Sequence, residues 1–159
     1  MSGLPVFKQG RTATVLMVED NPDHVYLARE SFAEARLNVQ LFDVESGEQC
    51  MAFLRREPPW ENAPAPDLVL LDIRMPRMSG YDVMRAISSD DQLRHITVVA
   101  LTSSCDIDEV NRMYALGARS YLAKPVDFVG FTEMIRRLST YWLDLVILPG
   151  APAIKPSTP

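Results

Sequence analysis

A chain of 159 residues, 47% hydrophobic and 23% charged, is long enough to bury one core without disulfide or metal staples and leaves little room for a second domain. The net charge of -5 argues against nucleic acid as a partner, and Cys50 and Cys105 have neither a CxxC nor a Cys/His spacing, which argues against a metal-thiolate site. The opening MSGLPVFKQGR has no apolar run of the signal-peptide kind and nowhere do eighteen apolar residues follow one another, so no membrane span is expected and a cytoplasmic location is.

In chain order, residues 1–11 are expected to form a loosely ordered arm, 12–148 one folded domain and 149–159 a disordered, proline-rich tail. Thr14 to Val18 reads as a buried strand running into Glu19-Asp20-Asn21-Pro22, so two carboxylates close it. Pro22 and Asp23 suit the first turn of a helix whose inward face is expected at Val25, Ala28, Phe32 and Ala35. His24 lies just off that stripe and is expected to be solvated. Val39 to Val44 alternates like a strand, and Ser46 is placed to cap a helix carrying Met51, Phe53 and Leu54. Residues 57–66 hold four prolines, which no helix or central strand tolerates, and predict an extended surface loop whose Trp60 either folds back on the domain, the favoured reading, or offers an aromatic anchor to a partner.

Leu68 to Leu71 is a short run of buried-strand character that delivers Asp72 to its end, after which Met75-Pro76 and Gly80 turn the chain. Tyr81, Met84 and Ile87 mark a third helix, closed by Ser88-Ser-Asp-Asp91. Thr97 to Thr102 is a fourth strand ending in a hydroxyl. Ile107, Val110 and Tyr114 are expected to give the fourth helix its inner face, with Gly117 as its carboxyl-terminal stop. Tyr121 to Lys124 is a fifth strand ending in a lysine. From Val126 a last helix carries Phe128, Phe131, Ile135, Leu138, Trp142 and Leu145, extended by Tyr141, Leu143, Val146, Ile147 and Leu148 on its other sides.

Five strands alternating with five helices predict an α/β fold, a doubly wound five-stranded parallel sheet with an extended C-terminal helix. In such a sheet the carboxyl ends of the strands meet along one edge, where ligands bind. Glu19, Asp20, Asp72, Thr102 and Lys124 should therefore converge there. Crowded carboxylates repel one another, and all-oxygen ligation that relieves the repulsion favours Mg²⁺. An aspartate beside such an ion can attack phosphorus, Lys124 can neutralise the transferring oxygens, and the Thr102 hydroxyl can report a phosphoryl group by hydrogen-bonding to it. Each feature has a plainer reading: an acidic pair caps helices, a strand-end threonine is common, and Lys-Pro punctuates surfaces. Their joint occurrence is what carries weight.

Glu19-Asp20 after the first strand, Leu71-Asp72-Ile-Arg-Met-Pro-Arg-Met-Ser-Gly80, Ala100-Leu-Thr-Ser103 and Tyr121-Leu-Ala-Lys-Pro125 together resemble the receiver domain of two-component response regulators, over Thr12 to Ser139. The resemblance implies a flavodoxin-like fold and Asp72 as phosphoacceptor from a sensor histidine kinase. Glu19, Asp20, Asp72 and the backbone carbonyl of Arg74 would be Mg²⁺ ligands, and Thr102 and Lys124 phosphoryl contacts. Tyr121 would change rotamer as the face of the fourth helix, fifth strand and fifth helix switches. The proline-rich loop and the long last helix resemble stand-alone regulators paired with phytochrome-type kinases. A homodimer through the last helix and that switching face is expected, because one sheet face cannot cover so many apolar groups. Two rivals are a Mg²⁺-dependent phosphohydrolase of the haloacid dehalogenase type and a degenerate receiver that only scaffolds a dimer. The first needs a general acid two residues after the nucleophile, where this chain has Arg74, whose guanidinium cannot release a proton near neutral pH.

Overall fold

The computed structural model describes residues 12–35, 38–103, 106–125 and 127–145, with backbone alone for 144–145. The expected N-terminal arm, the tail, and Cys105, Val126, Val146, Ile147 and Leu148 lie outside the described residues. Strands β1 (Ala13–Val18), β2 (Val39–Val44), β3 (Leu68–Asp72), β4 (Val98–Thr102) and β5 (Ser120–Ala123) alternate with helices α1 (Pro22–Glu34), α2 (Gly47–Leu54), α3 (Gly80–Ser88), α4 (Ile107–Ala115) and α5 (Phe128–Ser139). All strand pairs are parallel, in the order β2-β1-β3-β4-β5. Alternate residues of the central strands feed two cores. Leu16, Val18, Val69, Leu71, Val98 and Ala100 pack with residues of α2, α3 and α4, while Val15, Met17, Leu68, Leu70, Val99 and Leu101 pack with α1 and α5. This is the two-sided burial that continuous apolar strands require.

Local chemistry sets the helix starts. Asn21, Ser46, Ser79, Asp106 and Asp127 each accept a backbone N–H from the first turn of the helix they precede, and Ser79 with Asp82 completes a reciprocal capping pair. Gly117, at φ 107°, ends α4 as expected, its N–H donating to Tyr114 O at 3.0 Å. The proline-rich loop is a surface turn whose Trp60 folds back on the core, its ring 6.1 Å from that of Phe53 and tilted by 51°.

Three expected faces are corrected. On α1 the buried residues are Ala28, Ser31 and Phe32; Val25 and Ala35 are half-buried, and the Ser31 hydroxyl is satisfied by donating to Leu27 O at 2.7 Å. On α4 only Met113 is buried, whereas Ile107 and Tyr114 are 64% and 48% exposed. The helix is turned so that Glu109, one turn before Met113, faces the domain, because its carboxylate accepts from Arg74 Nη2 at 2.6 Å and from Tyr121 OH at 3.3 Å. In the last helix Phe128 is 45% exposed, and α5 gives way to a π-helical turn over Thr140–Leu145. That wider turn shifts the phase by one residue. Leu143, five residues after Leu138, is fully buried, and Trp142 at the α-helical position is only half-buried.

Candidate functional site

Register brings the strand ends together. Val18 pairs with Val44 and Leu71, and Asp72 pairs with Leu101, so the residues that follow β1 lie level with the last residue of β3. The Glu19 amide donates to Val44 O at 3.0 Å, and the Lys124 amide to Thr102 O at 2.7 Å, which continues the ladder on both sides of Asp72. Crossovers from β1 and β3 run in opposite directions across the sheet, making this the switch point where a crevice opens.

Glu19, Asp20 and Asp72 each offer a carboxylate oxygen, and these oxygens lie within 4.8 Å of one another. Glu19 and Asp72 are buried while Asp20 is exposed, so the cluster has a wet side and a dry side. The Lys124 side chain is 6% exposed; its ammonium donates to Glu19 Oε1 and lies 3.5 Å from Asp72 Oδ2. The Asn21 amide donates to Glu19 Oε2 at 3.2 Å, and the Arg74 amide to Asp72 Oδ1 at 3.2 Å. Burial first, then the Glu19 charge, push the Asp72 carboxyl up to about 6, against the pull of Lys124 and of the Arg74 amide. A buried carboxylate that resists ionisation beside two others is a donor set short of positive charge. The hard oxygen ligands fit a divalent cation such as Mg²⁺ or Mn²⁺.

Thr102 is fully buried at the end of β4, and its side chain hydrogen-bonds to the Tyr121 hydroxyl. Tyr121 is half-buried, and burial raises its phenol to about 12, so it stays a neutral donor to Glu109. A chain of polar contacts thus runs from Thr102 through Tyr121 and Glu109 to the Arg74 guanidinium, two residues past Asp72.

The sequence-predicted residues therefore come together, and two further ones join them. His24, expected in solvent, is half-buried with Nδ1 3.1 Å from Lys124 Nζ. Glu109 was assigned no part. Both occupy the third position of their helices, from which a side chain reaches back over the preceding loop; that position was the available signal. Gly80 is required by close approach: a Cβ there would lie 2.7 Å from Ile73 Cα and 2.8 Å from Asp72 O, against the backbone that presents the aspartate. Gly80→Ala is expected to lower stability by about 1–3 kcal/mol in urea unfolding. A change below about 0.5 kcal/mol would show that β3 yields freely.

The response regulator receiver domain family matches residues 15–136. The chain belongs to that family. Among curated relatives of this receiver, Response regulator Rcp1 of Synechocystis sp. (strain ATCC 27184 / PCC 6803 / Kazusa) is 33% identical over 137 residues, covering 86% of this chain and 93% of that protein. The phosphorylated cyanobacterial phytochrome response regulator RcpA superposes with a TM-score of 0.83 at 31% identity, covering 88% of this receiver and all of that chain. The Mn²⁺-bound form of Rcp1 superposes at 0.80 with 32% identity, covering 87% and 99%. The receiver is thus a signalling protein by family, and a sensor histidine kinase is the partner the family implies. Among the described residues no helix is long and apolar enough to cross a membrane.

Proposed function

We propose that this chain is a response regulator whose Asp72 accepts a phosphoryl group from a sensor histidine kinase of the phytochrome type in the cytoplasm. Residues 12–148 would form the working receiver. The observation that carries the reading is Asp72 itself, a buried strand-end carboxylate within 4.8 Å of Glu19 and Asp20 oxygens and 3.5 Å from the Lys124 ammonium. The pairing with a phytochrome kinase is supported by the likeness to Rcp1 and RcpA along most of their length.

An ionised Asp72 oxygen attacks phosphorus, a P–O bond forms, and the P–N bond of the kinase phosphohistidine breaks with its electron pair returning to the imidazole. Glu19, Asp20, Asp72 and the Arg74 carbonyl would hold Mg²⁺, which supplies positive charge to the carboxylates and the transferring oxygens. Lys124 adds a second cation from the dry side. Thr102 exchanges its bond with Tyr121 for one to a phosphoryl oxygen, which frees the tyrosine and, through Glu109, loosens α4 from Arg74. The signal leaves by the α4, β5 and α5 face. The acyl phosphate is later lost to water.

Acetyl phosphate with Mg²⁺, followed by intact mass, is expected to give a transient phosphate adduct; turnover to free phosphate without any adduct would instead favour a hydrolase. Glu19→Gln with Asp20→Asn should weaken Mg²⁺ binding, raise the Mg²⁺ concentration the reaction needs and remove most of the rate at ordinary Mg²⁺, a loss on the order of 10²-fold or more. Metal-free phosphorylation of that pair at the normal rate would remove the acidic cluster from the reaction.

The switching face also supports a homodimer. Ile107, Tyr114, Phe128, Val129 and Tyr141 are all large, apolar and 45% exposed or more. Light scattering at micromolar concentration is expected to give twice the chain mass, and the chain mass for Tyr114→Asp with Tyr141→Asp. A monomer throughout would refute the assembly.

A further inference from the structure

Lys124 is held by more than its carboxylates. Its ammonium has three N–H donors, and a nearly buried side chain must find acceptors for all of them. Glu19 Oε1 takes one, and Asp72 Oδ2 at 3.5 Å stands at the edge of reach for another. Among the described residues the remaining partner within hydrogen-bond distance is His24 Nδ1 at 3.1 Å. Lysine only donates, so Nδ1 is the acceptor and the ring proton sits on Nε2. The same tautomer accounts for His24 Nδ1 lying 3.5 Å from Glu19 Oε1: both are acceptors, and the ammonium bridges them.

The imidazole is itself built into place. Asn21 Oδ1 accepts from the Asp23 amide at 2.9 Å and Asn21 O accepts from the His24 amide at 3.1 Å, fixing the first turn of α1. The ring packs 6.3 Å from Phe131 of α5. We propose that His24 is a positioning residue for the phosphoryl-transfer reaction: it holds the Lys124 ammonium toward Asp72 through Nδ1. This rests on the phosphoacceptor reading of Asp72 and deepens it.

The chemistry favours a neutral acceptor here. A third carboxylate in place of His24 would neutralise the lysine charge that the incoming phosphoryl oxygens need, whereas an imidazole nitrogen takes one N–H and leaves that charge in place. Glu19 has a competing use as a candidate metal ligand, and an oxygen shared with a divalent cation is a poorer anchor for an ammonium. His24 is the anchor with no such second duty.

Two variants separate the acceptor from the ring. Asparagine places Oδ1 as many bonds from Cα as Nδ1, so His24→Asn retains an acceptor, while His24→Leu keeps bulk against Phe131 and removes it. With acetyl phosphate and Mg²⁺, His24→Leu is expected to slow adduct formation on the order of tenfold, and His24→Asn to stay within about twofold of wild type, well inside that loss. In a Lys124→Met background the His24→Leu change should have no further effect. Nitrogen NMR of the metal-free protein reads the same contact without activity: His24 should carry its proton on Nε2, and lose that preference in Lys124→Met. A proton on Nδ1, an unchanged rate in His24→Leu, or an equal loss in the Lys124→Met background overturns the proposal. Should wild type take no phosphate, the phosphoacceptor reading fails, and the tautomer still decides whether His24 anchors Lys124.

Discussion

Asp72→Asn is expected to take no phosphate from a kinase or from acetyl phosphate, with the fold retained. The amide is nearly isosteric with the carboxylate and can still accept from the Arg74 amide, but its oxygen is too weak a nucleophile to displace a phosphoryl group. Loss should exceed about 10³-fold, since removal of the attacking group leaves no alternative route. The substitution also has a stability signature with a definite sign. The folded Asp72 carboxyl titrates at about 6 and the ordinary value is 3.8, so the folded chain keeps a proton that the unfolded chain has released. Stability from this group is fully present below pH 3.8 and is lost as pH rises through about 6. The loss is about 1–3 kcal/mol, and Asp72→Asn does not suffer it. In metal-free buffer the variant should therefore unfold at higher urea than wild type at pH 7, with the gap closing toward pH 4. Robust labelling of the variant removes Asp72 from the reaction; a gap that widens toward acid would mean that the carboxylate is stabilised in the fold, contrary to its burial beside Glu19.

How much of this was legible follows from how local each signal is. The strands are runs such as Leu68 to Leu71, buried on both sides, and parallel strands joined by helical crossovers put their carboxyl ends on one edge, so the convergence of Glu19, Asp20, Asp72, Thr102 and Lys124 there was readable without coordinates. Caps were readable for the same reason: Ser46 and Gly117 act within a few residues of themselves. Helix phase was less so. On α4 the apolar residues Ile107, Val110 and Tyr114 form a stripe at helical spacing, yet tertiary contacts from Arg74 and Tyr121 to Glu109 decide which face turns in. An apolar stripe says that something covers it and does not say whether that is the chain's own sheet. The third helical position marks His24 as able to reach back over the loop, but its partner was not legible, because Lys124 is 100 residues away and is brought to it by the sheet.

Leu143→Ala is expected to be among the most destabilising single substitutions outside the central strands, at about 2–5 kcal/mol. In a straight α-helix continuing from Leu138, position 142 would take the next inward place and Leu143 would lie to one side. The π-helical turn over Thr140–Leu145 widens the spiral and delivers Leu143 into the core formed with Phe32, Phe131, Ile135 and Leu138, where it is 0% exposed. Removing its branched end leaves a cavity that the rigid strands beneath α5 do not refill. Tyr141, two residues earlier and 53% exposed, packs edge-to-face with Trp142 at 5.2 Å between centroids, so Tyr141→Ala should cost about 1 kcal/mol or less. Urea unfolding of the two variants reads the helix phase directly. The reverse order, with Tyr141 the costlier, would mean that the last helix runs on straight. The same packing bears on assembly, because shortening the chain after Ser139 removes Leu143 together with Tyr141. Dimer contacts are therefore better probed by surface substitutions such as Tyr141→Asp, which leave the core beneath α5 filled.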